Sequence, residues 1–303
     1  MANSILSGKV LQNEAAAIAW VEARVWPDGP VCPHCGGVER IGKMGGKATR
    51  IGLWKCYQCR KQFTVKVGTV FEDSHVPMHL WLQAMYLLCS SKKGISSNQL
   101  SRTLGVTLKT AWFMGHRIRE AMRVIGIEPM GSGGGIVEAD ETYIGRKPGM
   151  PRVRGVQHKL AVISLVERDG KARSFQVDEV SKENVEKIIN ENVAKDARLM
   201  TDSHGIYRHG NFDVADHQMV DHEVEWRKGD AHTNTIEGFY SVFKRGMKGV
   251  YQHCQEKHLH RYVAEFDFRY SNRARLGVDD VERTARAVKG IVGKRLTYAT
   301  PRH

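Results

Sequence analysis

The stretch Ile136-Val137-Glu138-Ala139-Asp140-Glu141-Thr142-Tyr143-Ile144-Gly145 constrains the fold of this chain more than any other. β-Branched and aromatic residues flank its acids and a glycine-rich run, residues 131–135, precedes it, so it reads as a β-strand. Three carboxylates, Glu138, Asp140 and Glu141, fall within four positions of a strand that ought to be buried. A buried acid without a partner is costly or loses its charge, so such groups hold a metal or a cation unless the strand is a solvated edge. Strand alternation puts Glu138 and Asp140 on one face and Glu141 on the other.

Downstream residues extend the pattern. Lys159-Leu160-Ala161-Val162-Ile163-Ser164-Leu165-Val166 is a second strand, almost wholly apolar and therefore central. Residues 173–180, with Phe175, Val177 and Val180, form a third, joined through the Asp169-Gly170 hairpin signal. Ser181-Lys182-Glu183-Asn184 has the form of a capping box and opens a helix through Val185, Ile188, Ile189 and Val193. Ala197-Arg198-Leu199-Met200-Thr201-Asp202 is a fourth strand, and a short one is expected around Met219-Val220 or Val224-Trp226. The order strand, strand, strand, helix, strand, helices is that of an α/β, RNase H-like fold, with a mixed sheet flanked by helices. In such a sheet acids on the first and fourth strands come side by side and a later helix supplies a third.

Asp202 ends its strand, so Asp140 and Asp202 are candidates to face each other. The helix from Thr233 has an apolar face of Ile236, Phe239, Tyr240, Phe243 and Met247. Its other face carries Asn234, Glu237, Ser241, Lys244 and Lys248. Asn234 and Glu237 are one turn apart, and either or both could approach the aspartates. The next helix, residues 259–273, is expected to pack under this one, with its arginines near DNA.

With 303 residues the chain can hold two or three domains, and its net charge of +13 and pI near 9.5 point to a polyanionic partner, most often nucleic acid. Residues 1–12 lack the apolar run of a secretory signal, and the longest apolar stretch, residues 80–89, is far too short to span a bilayer. A cytoplasmic, nucleoid-associated protein with no membrane partner is expected. Six cysteines in a reducing compartment favour metal over disulfides. Cys32-Pro33-His34-Cys35 and Cys56-Tyr57-Gln58-Cys59, separated by 20 residues, suit one tetrahedral structural Zn²⁺ held by Cys32, Cys35, Cys56 and Cys59. Strand-like segments at residues 50–55 and 62–67 complete a zinc ribbon. Cys89 and Cys254 have no partner pattern and read as small apolar residues.

Between residues 79 and 122 the period is helical. Ser96 or Ser97 can cap a short helix, Gly105 permits a tight turn and Thr107 can cap the next helix, which is a helix-turn-helix pattern. Its second helix would direct Lys109, Thr110, Arg117 and also His116 towards a major groove. The expected domains are a helical segment (1–30), the zinc ribbon (31–70), the helix-turn-helix (76–126), a linker (127–135), the RNase H-like domain (136–275) and a C-terminal helix with a basic tail (276–303).

CPHC, CYQC, ADETYIG, LMTDSHGIY, HTNTIEGFYSVFKRGMKGVYQH, HLHRYVAEFDFRYSNR and the late KRLTY together span nearly the whole chain. In these motifs it resembles the DDE-type insertion-sequence transposases with an N-terminal zinc ribbon, the bacterial ISXO-like family. The resemblance implies a catalytic triad of Asp140, Asp202 and Glu237, with Asn234 as rival or helper of Glu237. It implies two Mg²⁺ or Mn²⁺ ions on that triad, cleavage at the ends of an element, and attack of the freed 3′-hydroxyl on target DNA. Lys244 and Lys248 would contact phosphates along the DNA path. The expected partners are element-end and target DNA, with a homo-oligomer, at least a dimer, assembled on them. Two other readings compete: a DNA-binding regulator with an inactive sheet, and an RNase H-like nuclease without strand transfer.

Overall fold

Asn13 accepts the backbone N–H of Ala16 (2.9 Å) through its side chain and so starts the helix expected at the N-terminus. The computed structural model describes residues 4–124, 128–221 and 230–297. After a short α1 (Lys9–Gln12), α2 spans Glu14–Val25. A three-stranded antiparallel sheet follows, with β1 at Ile41–Lys43, β2 at Trp54–Cys56 and β3 at Gln62–Phe63. β3 is shorter than the expected strand at 62–67, because Thr64 and Val67 close a turn (3.1 Å). The helices α3 (Met78–Ser90), α4 (Ser97–Leu104) and α5 (Leu108–Met122) come next.

These elements form one unit, made of Met1–Ser91, Ile95–Arg123 and Asp279–His303. Within it Trp26 meets Trp54 and Phe63 edge-on, at 6.2 and 5.8 Å between ring centroids, and Glu22 accepts the Trp54 indole N–H (2.7 Å), which fastens α2 to the small sheet. Ser96 and Thr107 cap α4 and α5 as expected, and Gly105 between them is left-handed (φ +67°). Arg117 departs from the expectation of a groove-facing side chain. It is buried, and its guanidinium donates to the carbonyls of Val70 (2.9 Å), Glu72 (2.6 Å) and Leu296 (3.2 Å). His116 is buried as well.

The second unit, Lys92–Gly94 with Val124–Val278, contains β4 (Ile136–Ile144), β5 (Leu160–Glu167), β6 (Ala172–Val177), α6 (Lys182–Asn192), β7 (Arg198–Asp202), α7 (Gly205–Arg208), β8 (Asp216–Val220), α8 (Asn234–Gly246) and α9 (Glu256–Ser271). A final helix, α10 (Asp280–Lys289), returns to the first unit, where Arg283 donates to the Cys89 carbonyl (2.9 Å). The sheet order is β6-β5-β4-β7-β8, with β4, β5 and β6 antiparallel and β4, β7 and β8 parallel. The short strand expected near Met219-Val220 is β8; the alternative around Val224-Trp226 lies outside the described residues, as do part of the linker and Tyr298.

Helices cover both faces of this sheet. Val137, Ala139, Ile163, Leu165 and Leu199 pack against Val185, Ile188 and Ile189 of α6 and Tyr207 of α7. On the other face Ile144, Leu160, Val162 and Val166 pack against Ile236, Phe239, Tyr240, Phe243 and Met247 and against Leu259, Tyr262, Val263 and Phe266 of α9. The expected apolar face of α8 is therefore its buried face. Beyond Gly246 the helix widens into a π-turn, Met247–Tyr251.

Two buried polar connections fix α8 on the sheet. Glu138 is fully buried; its Oε2 accepts the backbone N–H groups of Thr235 (2.8 Å) and Ile236 (2.9 Å), and its Oε1 accepts Arg168 Nε (2.8 Å). A strand carboxylate thus serves the N-terminus of α8, where unsatisfied N–H groups and the helix dipole favour an anion. Arg168 also donates to the carbonyls of Asp230 and His232, both 2.9 Å, just before the helix. Farther along, Tyr240 Oη donates to the Asp140 carbonyl (2.7 Å) and lies within hydrogen-bonding reach of Ser164. Ser164 Oγ donates to Ser174 Oγ (2.7 Å), and Ser174 donates its Oγ (2.7 Å) and N–H (2.8 Å) to Asp267 of α9. Arg269 of the same helix, expected near DNA, is buried and paired with Glu265 instead.

Glu138→Ala would strand the Arg168 charge and two N–H groups; a loss of about 3–5 kcal/mol is expected in denaturant unfolding, and a loss below about 1 kcal/mol would show that Glu138 does not lock the helix. Burial pushes the Asp267 carboxyl up to about 7 from an ordinary value of 3.8. A carboxyl raised in this way contributes its stability in full below about pH 4 and loses it as pH rises through about 7. The wild type should therefore weaken more between pH 5 and pH 8 than Asp267→Asn, whose neutral amide keeps one acceptor for Ser174 and does not titrate. Equal midpoint shifts in urea at the two pH values would remove Asp267 from this role.

Candidate functional site

Asp140, Glu141 and Asp202 lie towards one end of the second unit's sheet. β4 and β7 run parallel, with Glu138 opposite Met200. Continuing that register by two residues sets Asp140 opposite Asp202, on strands about 4.8 Å apart. Both lie on the face covered by α8, the face that alternation gives to Glu138 as well. Glu141 takes the opposite face, where the buried Tyr207 donates its hydroxyl to Oε2 (2.9 Å).

Burial, reinforced by the negative charges of Glu141 and Asp202, pushes the Asp140 carboxyl up to about 8, against the pull of the Glu141 N–H and Lys244. Burial first, and Asp202 as well, also raise Glu141, while its bond to Tyr207 and the nearby His204 act the other way. Asp202 accepts the His204 N–H (3.1 Å) at the strand end, where the chain turns into α7. Like charges are thus concentrated in a partly desolvated corner, an arrangement that a cation relieves.

α8 contributes unequally. Lys244, half-buried, attracts Asp140, and its Nζ sits 5.6 Å from the Tyr240 ring centroid. Lys248 is exposed in the π-turn. Asn234 and Glu237 are both exposed, and Glu237 Oε1 accepts the hydroxyl of Thr233 (3.1 Å). The carboxylates of Asp140, Asp202 and Glu237 are not among the groups whose donor atoms all lie within 4.8 Å of one another in the described residues.

The four knuckle cysteines do form such a group. Cys32 and Cys59 Sγ are 3.6 Å apart, and Cys35 and Cys56 Sγ are 3.8 Å apart. A tetrahedron with Zn–S bonds of about 2.3 Å has S–S edges of about 3.8 Å, so the sulfurs fit a structural Zn²⁺. His34 is not a member of the set. In the helical part of the first unit, Lys109 is exposed and Thr110 half-buried in the first turn of α5, whereas most of the later turns are buried.

Reading by residue type missed Arg168, Tyr207, Tyr240, Ser164, Ser174 and Asp267. For Tyr240 and Ser164 a signal existed: each is a polar group on an otherwise apolar face. The others become visible only through strand register.

Comparison with known proteins matches two stretches of the chain. Residues 133–271 match the ISXO2-like transposase domain and residues 12–62 the transposase zinc-ribbon domain. A protein of Halobacterium salinarum, described as an uncharacterized protein in transposable element ISH50, is 25% identical over 262 residues, covering 80% of this chain and 86% of that protein. No helix among the described residues is long and apolar enough to cross a membrane. Residues 133–271 thus carry an ISXO2-like transposase domain and residues 12–62, with their four close sulfurs, a transposase zinc-ribbon domain, and the chain is similar to a transposable-element protein.

Proposed function

We propose that the second unit is an RNase H-like catalytic domain that cuts and joins DNA through Asp140, Asp202 and Glu237. The observation that supports this most is the placement of Asp140 and Asp202 on adjacent parallel strands, on one face, with mutual repulsion in a desolvated corner. Their hard oxygen donors suit Mg²⁺ or Mn²⁺. Bound there, a pair of such ions would supply an activated hydroxyl and charge neutralisation at the scissile phosphate. Glu237 is exposed in the first turn of α8, where its Oε1 accepts the hydroxyl of the N-cap Thr233, and it is the member that would turn inward when a cation draws it. Asn234, also exposed one turn earlier, is its alternative or helper.

The chain's own residues have definable tasks. Asp140 takes its place from the Tyr240 contact on its carbonyl; Glu138 and Arg168 hold the start of α8, and with it Glu237. Lys244 and Lys248 follow on the same helix as phosphate contacts. In the first unit, α4 and α5 serve as a helix-turn-helix with Lys109 and Thr110 towards DNA; Arg117, being buried, is omitted. The zinc ribbon is a structural element of that unit. Synapsis of two element ends calls for at least a dimer on DNA.

In a strand-transfer assay with Mg²⁺ and end-bearing DNA, Asp140→Asn and Asp202→Asn should bind DNA as the wild type does and join it at least about 10²-fold more slowly, the scale of losing one preorganised catalytic group. Full joining by either variant removes that aspartate from the site; cleavage without joining by the wild type would indicate a nuclease. Glu237→Gln set beside Asn234→Ala assigns the third position. Metal analysis should find one zinc per wild-type chain and none in Cys56→Ser, whose Trp54 emission should also shift; retention of stoichiometric zinc would exclude the four-thiolate site.

A further inference from the structure

The loop between β4 and β5, residues 145–159, plays no part in the functions assigned so far. It carries five cations, Arg146, Lys147, Arg152, Arg154 and Lys159, and no acid. Its stem is fixed: Lys147 N–H donates to the His158 carbonyl (2.8 Å), Lys147 Nζ to the Asp178 carbonyl (2.8 Å) and Lys159 N–H to the Val156 carbonyl (2.8 Å), with His158 buried. Residues 148–157 are all exposed. Among them Met150, Val153 and Val156 show 45%, 43% and 39% of their surface. Among the described residues neither Arg152 nor Arg154 pairs with a carboxylate, whereas most arginines of this unit do or are spent on carbonyls.

Position gives this surface its meaning. β4 and β7 are parallel, so the loop leaves the sheet at the end where Asp202 closes β7. Asp140 lies four residues before Ile144, the last residue of β4. At about 3.4 Å per residue the loop begins about 14 Å beyond the carboxylates. That distance equals roughly four base steps of duplex. A basic, acid-free arm with aliphatic side chains set between arginines suits a nucleic-acid backbone: the guanidiniums meet phosphates, and the aliphatics cover sugar edges in the minor groove. We infer that the 145–159 loop is a DNA-gripping arm that holds the duplex about four or more base pairs from the phosphate at the carboxylates, beyond the end of β4. The inference rests on the transposase reading above.

The test uses full-length protein carrying Asp140→Asn, so that bound DNA stays intact, with and without Arg152→Ala and Arg154→Ala together. Binding to a labelled end-bearing duplex is followed by anisotropy across a salt series. Each phosphate contact contributes a slope of about 0.9 in log K against log salt, so the loop variant should lose about two units of slope. A charge-matched control, Lys182→Ala with Lys187→Ala on α6, should lose none. Hydroxyl-radical footprinting should show the lost protection clustered about four or more base pairs to one side of the bond cut by the wild type. Circular dichroism melting checks that the exposed substitutions leave the fold intact. An unchanged slope and footprint, with parental binding and wild-type cleavage intact, overturn the loop assignment alone. Absence of DNA binding by the parental protein overturns both this and the reading it rests on.

Discussion

The second unit depends on a carboxylate with no solvent contact. Glu138 joins a central strand, the arginine after the neighbouring strand and the first turn of α8 through bonds of 2.8–2.9 Å. A buried ion pair of this kind often adds little net stability relative to an apolar replacement, but removing one partner is severe. Its value lies in registration. The apolar face of α8 could slide against Val162, Val166 and Leu160 at little cost in buried area, whereas the two N–H groups on Glu138 admit one position. Everything α8 carries, the exposed Glu237 and the half-buried Lys244 included, inherits that position.

The same strand carries acids with opposite fates, and solvation divides them. Glu138 has its charge matched by Arg168 and by the helix terminus. Asp140 sits two residues on, with Lys244 as its attracting cation and two anions nearby, and its carboxyl is raised to about 8. A protein that needed only stability would have neutralised this corner. A desolvated carboxyl beside two further acids, next to a fully matched ion pair, is the contrast on which the proposed metal site rests.

Much of this was legible in the sequence because the signals are local. The cysteine knuckles follow from spacing, the apolar stripe of α8 from its period, the caps at Ser96, Thr107 and Ser181 from side-chain chemistry, and the alternation of β4 from the pleat. What escaped requires register or distant partners. Arg117 and Arg269 look like surface cations by type, yet the carbonyls of Val70, Glu72 and Leu296, and Glu265 with Tyr251, draw them inside. The line from Tyr240 through Ser164 and Ser174 to Asp267 crosses the pairing of β5 with β6 before it reaches α9. β1 escaped for the opposite reason: three residues with a central glycine carry almost no pattern.

The return of α10 to the first unit sets an order of events during synthesis. The α2, α3 and α5 surfaces that α10 covers are translated first, but their covering strip leaves the ribosome only after the whole of Val124–Val278. The second unit is contiguous apart from three residues and can close while the first still waits for its last helix. The unit that carries the zinc ribbon is thus completed last, so a nascent chain has its acid-bearing sheet folded before the ribbon's own unit is whole.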